Sequence, residues 1–487
     1  MSSEAAMRHG GQALTVAPSP ADGASLLKLA QEELRSGSMA RAWETCRAAA
    51  ALGRTTDDVT LVADAATVIA EPGLALRFLA ERNALAREAL ARLGNRDAAR
   101  SARVRAVIEM TRNPWYQVPE PESVMPPDTA ELRAAELHSE YVRHLHPRYL
   151  EVRRRIAAEL DTLAAGTYRP VDAAWATLYR LELAAQAGWR LELNAGMLEL
   201  AALARELDSP AWHWRYLAAQ RQVAHIDGHL GDAKDLAEQA RRVGKDAGLE
   251  EAAHTDLIFR WELARWTGEG LDQVEHDVRH WLAQAPSDAR GWHALILLEM
   301  GRTEEALAIW RSLAPHLAEI PPDAREWIVA MVGCVDIAVA ARDRESAAFL
   351  RDALTPYVDQ HFMGTIVTEY GGPISGSLAK LELLLGNRAE ARRLAAQAAH
   401  AAEDFHAPRY AARYAALAAS LGDRGDGLSA RELEIARLVS EGLSNRAVAE
   451  RLVISERTVE THVSSIFRKL GVSSRTAVAC RILRAEG

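Results

Sequence analysis

The residues best placed to do chemistry lie near the C-terminus, in the run Glu456-Arg-Thr-Val-Glu-Thr-His-Val-Ser-Ser-Ile-Phe-Arg-Lys-Leu470. On a helix advancing about 100° per residue, Val459, Val463, Ile466 and Leu470 fall within about 60° of one another and form a side to be buried. Arg457, Glu460, Thr461, Ser464 and Arg468 cluster on the opposite side. A carboxylate, two short hydroxyls and two guanidiniums form a recognition set, able to donate and accept hydrogen bonds. On an isolated helix such a face would ordinarily be solvated surface. It is also short, polar and free of bulky apolar groups, as fitting a helix into a DNA major groove about 12 Å wide requires.

Elsewhere the residue types do not assemble into a catalytic or metal set. His144 and His146 are too close on a helix to share a face, and His276 with His280 lacks the Glu of a zinc-protease motif. Gly244-Lys245 lacks the rest of a phosphate-binding loop. The three cysteines, Cys46, Cys334 and Cys480, are far apart and odd in number, so they give neither a disulfide framework nor a zinc spacing. All 12 tryptophans precede the tail, among them Trp212, Trp214, Trp261, Trp266, Trp281 and Trp292, where core packing is the commoner explanation than an aromatic ligand pocket. No enzyme, cofactor or metal is expected.

The face on 456–470 must be positioned by its neighbours, and the tail from 428 to 487 supplies them. Ser429, followed three residues later by Glu432, is a capping box that starts a helix with apolar Leu433, Ala436 and Val439, ended by Gly442. Ser444 or Asn445 caps a second, short helix, Asn445-Arg-Ala-Val-Ala-Glu-Arg-Leu452. After the turn Val453-Ile-Ser455 the third helix runs from Glu456 to Leu470, capped by Ser455 and stopped by Gly471. A last helix covers about Ser474 to Arg484.

The stretches Gly442-Leu-Ser-Asn-Arg-Ala-Val-Ala-Glu-Arg-Leu452, Ile454-Ser-Glu-Arg-Thr-Val-Glu-Thr-His462 and Arg468-Lys-Leu-Gly-Val472 are similar, nearly position for position, to the LuxR-type helix-turn-helix signature. The resemblance implies that residues matching Glu460, Thr461 and Ser464 approach base edges. Glu460 could accept from a cytosine amino group, Thr461 touch a thymine methyl, and Ser464 bond either type. Many family members carry lysine where this chain has Glu460, which bears on base preference and not on docking. Phosphate contacts implied by the resemblance are Asn445, Arg457, Thr458, Arg468, Lys469 and Arg475, with the dipole of the third helix assisting at its N-terminus. His462 borders the buried side and is read as packing, while Arg431, Arg437 and Arg446 are read as surface. Family modules pair through the last helix, so the resemblance implies a homodimer on double-stranded promoter half-sites, with RNA polymerase contact as a further expectation.

Upstream, residues 1–24 read as a disordered leader, with Pro18, Pro20 and paired Gly10–Gly11. From 25 to 421 the pattern is helical almost throughout. Five prolines between 113 and 128 break it and mark a loop or a hinge, a loop near 361–374 carries Gly364, Gly371, Gly372 and Pro373, and Gly422-Asp-Arg-Gly-Asp-Gly427 is a linker to the tail. Aligning helix-ending glycines brings out a weak repeat, clearest at Leu230-Gly-Asp-Ala-Lys-Asp-Leu-Ala237, Met300-Gly-Arg-Thr-Glu-Glu-Ala306 and Leu385-Gly-Asn-Arg-Ala-Glu-Ala391, with weaker copies at Gly188, Gly268 and Asp343 and earlier ones around Gly37 and Gly94. This resembles the tetratricopeptide class, which implies an all-α superhelix with a concave surface for a peptide, a partner or another copy. The large regulators that join such repeats to a LuxR-type module often carry an ATPase; this chain shows no phosphate-binding loop for one.

Charge follows the same division. The chain is −9 overall, but from Ser429 onward 10 Arg/Lys against 7 Asp/Glu give +3, leaving an acidic body at −12. Lysine is nearly absent, at five residues, the codon signature of a GC-rich bacterial genome. No apolar run of about eighteen residues appears, and a cytoplasmic, nucleoid-associated protein without a membrane partner is expected. The reading is a sequence-specific DNA-binding transcriptional regulator, an activator, whose helical body takes a protein or small-molecule effector. The alternative is an interaction scaffold whose terminal module binds another regulator instead of DNA.

Overall fold

The computed structural model describes residues 22–35, 39–69, 78–94, 96–111, 130–282, 290–320, 327–421 and 428–486. The leader up to 21, the loop or hinge at 113–128, the turn at Gly37 and the linker 422–427 lie outside the described residues. Helix dominates. An N-terminal group holds α1 (Gly23–Arg35), α2 (Met39–Thr55), α3 (Val59–Thr67), α4 (Leu79–Leu93) and α5 (Ala98–Met110) around its own core of Trp43, Val62, Ala86 and Val107. The body continues with α6 (Ala130–Arg143) and α7 (Leu150–Thr167).

Six helix pairs then follow: α8 (Pro170–Ala187) with α9 (Arg190–Leu207), α10 (Pro210–Ile226) with α11 (Leu230–Asp246), α12 (Glu250–Thr267) with α13 (Leu271–Leu282), α14 (Arg290–Glu299) with α15 (Thr303–Leu313), α16 (Trp327–Ala341) with α17 (Arg344–Leu354), and α18 (Ile374–Leu385) with α19 (Arg388–Asp404). Then α20 (Pro408–Ser420) closes the body, and α21 (Ala430–Ser440), α22 (Asn445–Leu452), α23 (Glu456–Leu470) and α24 (Arg475–Glu486) form the tail.

Each pair turns at a left-handed residue, and the turn between α12 and α13 has a second one, Gly270 at φ 80°. Glycine fills the shared position at 188, 228, 268, 301 and 386, and Arg342 takes it at φ 53°. The cost at Arg342 is offset locally, because the Asp343 carboxylate accepts the Ser346 amide at 3.0 Å and starts α17. In the second pair the sequence pattern pointed to Gly231 as the helix-ending residue. Gly231 instead sits in the first turn of α11, and Gly228, φ 82°, makes the turn. The first helix of a pair is buried on most sides and the second is amphipathic. Thus α10 buries Trp212, Trp214, Leu217 and Ala218, whereas α11 buries only Ala233, Ala237, Ala240 and Gly244. Among the described residues tryptophans pack on one another, with Trp175 edge-on to Trp212 at 5.3 Å and Trp261 edge-on to Trp292 at 5.9 Å.

The Gly-rich stretch read as a loop contains the one sheet among the described residues, an antiparallel hairpin of β1 (His361–Met363) and β2 (Tyr370–Pro373). His361 pairs with Pro373, Phe362 with Gly372 and Met363 with Tyr370, so Gly371 bulges. This hairpin threads the inside of the repeats. The Arg221 guanidinium of α10 donates to the Val367 carbonyl at 3.2 Å, the Glu262 carboxylate of α12 accepts the Tyr370 amide at 2.7 Å, and the Tyr410 hydroxyl of α20 donates to the Tyr370 carbonyl at 2.5 Å. First and last repeats share one core. Leu178 and Trp214 cluster with Ala402, Phe405 and Tyr414, and Arg190 of α9 donates to the Phe405 carbonyl at 3.3 Å. The hairpin and its loop are thereby held by side chains from α10, α12 and α20.

Among the described residues no helix is long and apolar enough to cross a membrane, and no group of three His, Cys, Asp or Glu side chains is placed to hold a metal ion.

Candidate nucleic-acid interface

The tail is a small core carried by four helices. Ile435, Ala436, Leu438 and Val439 of α21, Val448 and Ala449 of α22, Val459, Val463, Ile466 and Leu470 of α23, and Val478 and Ile482 of α24 are all buried together. The angular argument places the α23 residues correctly. On α21 Ala436 and Val439 are buried as expected, together with Ile435 and Leu438, and Leu433 is only half-buried at the edge. Glu432 is turned inward as well.

Local chemistry fixes each boundary. The Ser429 hydroxyl accepts the Glu432 amide at 3.2 Å while the Glu432 carboxylate accepts the Ser429 amide at 2.6 Å, a complete capping box. Ser444 caps α22 by accepting the Ala447 amide at 3.2 Å, and Ser455 caps α23 by accepting the Thr458 amide at 3.1 Å. Between them Val453 turns the chain at φ 53° and stands 90% exposed. A β-branched residue is strained there, so the sharp angle between α22 and α23 is held by tertiary packing against the preference of its own turn residue. Arg431 strengthens the same junction by donating to the Leu452 carbonyl at 3.0 Å.

The face proposed from sequence is assembled as a surface. Arg457, Thr458, Glu460, Thr461, Ser464 and Arg468 of α23 are all exposed. The Thr461 hydroxyl donates to the Arg457 carbonyl one turn back at 3.0 Å, which orients its methyl group and leaves its oxygen free to accept. Thr458 and Ser455 share a hydroxyl contact of 2.7 Å at the α23 N-terminus, where unpaired amides and the helix dipole favour an anion. His462 is half-buried, at the border.

Arg475, Asn445 and Lys469, all expected at phosphates, make contacts within the module. Arg475 donates to the Asn445 side-chain oxygen at 2.6 Å and to the Leu443 carbonyl, so the starts of α22 and α24 are latched together and both residues stand at one end. The Lys469 ammonium lies 2.5 Å from the buried carboxylate of Glu432. Burial alone would raise that carboxyl's pKa; the Lys469 ammonium, the Ser429 amide and the Ser465 hydroxyl outweigh it and hold the group at about 2. This pair ties the capping box of α21 to the last turn of α23. Sequence reasoning found each half, as a cap and as a basic residue. Their meeting depends on a crossing between α21 and α23 that neither spacing encodes.

A family model described as bacterial regulatory proteins of the luxR family matches residues 426–482. The HTH-type transcriptional regulator Rv0890c of Mycobacterium tuberculosis (strain H37Rv) is 26% identical over 272 residues, 53% of this chain and 29% of that protein. Because 272 residues exceed the whole terminal module, that likeness extends into the helical body. The transcriptional regulatory protein DegU of Brevibacillus brevis is 49% identical over 49 residues, 10% of this chain and 21% of that protein. The nitrate/nitrite response regulator protein NarP of Escherichia coli (strain K12) is 42% identical over 60 residues, 12% of this chain and 28% of that protein. The chain thus spans less than a third of the length of each of these relatives. Residues 426–482 are a LuxR-type helix-turn-helix domain.

Proposed function

We propose that this protein regulates transcription by seating α23 in the major groove of double-stranded DNA. The observation that carries the reading is the exposed polar face of α23, set opposite a buried apolar side in a capped helix-turn-helix of LuxR type. Thr461 and Ser464, with Glu460, read base edges. Arg457, Thr458 and Arg468 hold phosphates along α23, while Asn445 and Arg475 do so at the shared end of α22 and α24. Lys469, paired with Glu432 at the last turn of α23, is the sixth proposed phosphate contact.

The module is proposed to act as a dimer paired through α24, whose Val478 and Ile482 face inward and whose Cys480 faces out. The domain order carries the remaining proposals: residues 25–421 form the regulatory and oligomerisation region, 422–427 the linker and 428–487 the DNA reader. In the same reading the body receives a protein or small-molecule effector, and the bound dimer contacts RNA polymerase as an activator.

Fluorescence anisotropy with the intact chain and its own upstream region tests the central claim. Arg468→Ala should weaken binding to every sequence and reduce the log–log salt slope by about one. Thr461→Ala and Ser464→Ala should instead change the preferred base, by about 1–3 kcal/mol at the contacted pair. Wild-type behaviour from all three variants would remove α23 from the interface.

A further inference from the structure

The second helices of the six pairs form the outside of the body, and each turns a face to solvent. On α11 that face carries Asp232, Lys234, Asp235, Glu238 and Arg242, and on α13 it carries Asp272, Gln273, His276 and Arg279, as expected of a solvated helix. Helix α9 departs from this. Leu191 is 81% and Leu198 77% exposed, with exposed Ala195 between them and Ala202 beyond. At about 100° per residue these four lie within about 60° of one another, on one straight seam. Tyr168, 80% exposed at the turn before α8, lays its hydroxyl on Glu206 at 2.9 Å and extends the seam at its C-terminal end.

We propose that this seam is a self-association surface and that its occupant is α9 of a second copy, running antiparallel. The spacing i, i+4, i+7, i+11 is that of the apolar line along which two helices pack. Large and small residues alternate in a self-complementary way. A two-fold axis crossing the helix between positions 196 and 197 sets Leu191 opposite Ala202 and Leu198 opposite Ala195 of the other copy. Each leucine then fills a hollow left by an alanine, and the same surface serves both partners, as an isologous contact requires. A parallel pairing in register would put leucine on leucine and leave a gap between the alanines. The antiparallel arrangement also sets the helix dipoles head to tail.

The seam is about 16 Å long from Leu191 to Ala202. One such helix pair buries less than the roughly 800 Å² per partner of a standard interface. The contact is therefore weak between free molecules and strong between copies already tethered, where effective concentrations reach about the millimolar range. Two copies held side by side on DNA are so tethered; that consequence rests on the function proposed above, and the contact itself does not.

The test uses the full chain without DNA, in a Cys480→Ser background so that the other cysteines, Cys46 and Cys334, are buried. Ala195→Cys and Leu198→Cys variants are oxidised separately and as an equimolar mixture. The mixture should form disulfide-linked dimer severalfold faster than either variant alone, and Leu191→Cys mixed with Ala202→Cys should do the same. Sedimentation velocity over a concentration series should show the Leu191→Glu/Leu198→Glu variant associating at higher concentration than wild type, with unchanged helicity by circular dichroism. Faster linkage within single variants than in the mixtures, or sedimentation of the charged variant identical to wild type at every concentration, would overturn the proposal. Since no DNA is present, these outcomes are independent of whether α23 binds it.

Discussion

Replacing Lys469 with alanine separates a structural role from an electrostatic one. The substitution leaves Glu432 buried, with the Ser429 amide at 2.6 Å and no ammonium beside it. Stranding a buried group without its charged partner costs about 1–3 kcal/mol, and the capping box that Glu432 closes is worth about 1 kcal/mol in its own right. A local destabilisation of 1–3 kcal/mol multiplies the open population by about 5- to 150-fold. Hydrogen exchange read by mass spectrometry on the intact chain measures that population peptide by peptide. Exchange in α21 and in the last turn of α23 should accelerate by this factor in Lys469→Ala, while α8 to α12 exchange as in wild type. Glu432→Gln should have a similar effect, and its pH profile gives a second reading. The carboxyl sits at about 2 in the fold, below its ordinary value near 4.5, so the stabilisation is present above about pH 4.5 and lost as pH falls toward 2. Wild-type protection of α21, corrected for intrinsic exchange chemistry, should fall across that window, and Glu432→Gln should flatten the fall. The reasoning fails if Lys469→Ala exchanges like wild type yet loses as much DNA affinity as Arg468→Ala, for then the ammonium serves the phosphates and not the fold.

Three further substitutions probe the body and the turn. The Glu262 carboxyl, buried and accepting the Tyr370 amide, is pushed up to about 8, so the neutral form is favoured in the fold and stability declines as pH rises from about 4.5 through 8. Glu262→Gln keeps the acceptor without the charge, and its thermal midpoint should exceed wild type above pH 8 and converge with it near pH 5. Gly372 has φ 88°, and a Cβ there would meet the Tyr410 ring at 2.6 Å. Gly372→Ala should therefore cost about 2–4 kcal/mol, seen as a lower denaturation midpoint and new proteolytic cleavage within 361–373. Val453 is exposed and left-handed, so Val453→Asn should slow exchange in α22 and α23 by an amount matching about 1 kcal/mol; faster exchange would show that its side chain packs where the exposure says it does not.

How much of this was legible in the sequence depended on the range of the determining interactions. The α23 face was readable because its cause is local: one cap at Ser455, one stop at Gly471 and a 3.6-residue period between them. Most repeat turns were readable for the same reason. The slip from Gly228 to Gly231 arose because Gly231 lies in the more tetratricopeptide-like string, although the backbone spends its left-handed residue three positions earlier. The Glu432–Lys469 pair, thirty-seven residues apart, and the Arg475–Asn445 latch, thirty apart, were not readable, since each depends on how two helices cross. The hairpin was invisible for a further reason. Its glycines signal a loop, and the partners that make it a strand pair inside the body, Arg221, Glu262 and Tyr410, come from three separate helices.

That hairpin bears on the proposal that the body receives an effector. A peptide seated on the inner surface of the repeats would have to displace β1 and β2 and leave the Glu262 carboxyl, the Arg221 guanidinium and the Tyr410 hydroxyl without the backbone groups they now hold. Each such buried loss costs about 1–3 kcal/mol, so a ligand of the inner surface must replace those three hydrogen bonds and not merely fill space. Burial of Ile366, Val367 and Tyr370 adds to the barrier. The outer face of α9 carries no such penalty, because Leu191 and Leu198 have only water to lose. Under the two proposals above, association of copies through α9 would displace only water, whereas an effector seated at the hairpin would have to replace those hydrogen bonds. An inner-surface ligand strong enough to act should expose Tyr370 and Tyr410 together, a coupled change that tyrosine-directed footprinting of the intact chain can register.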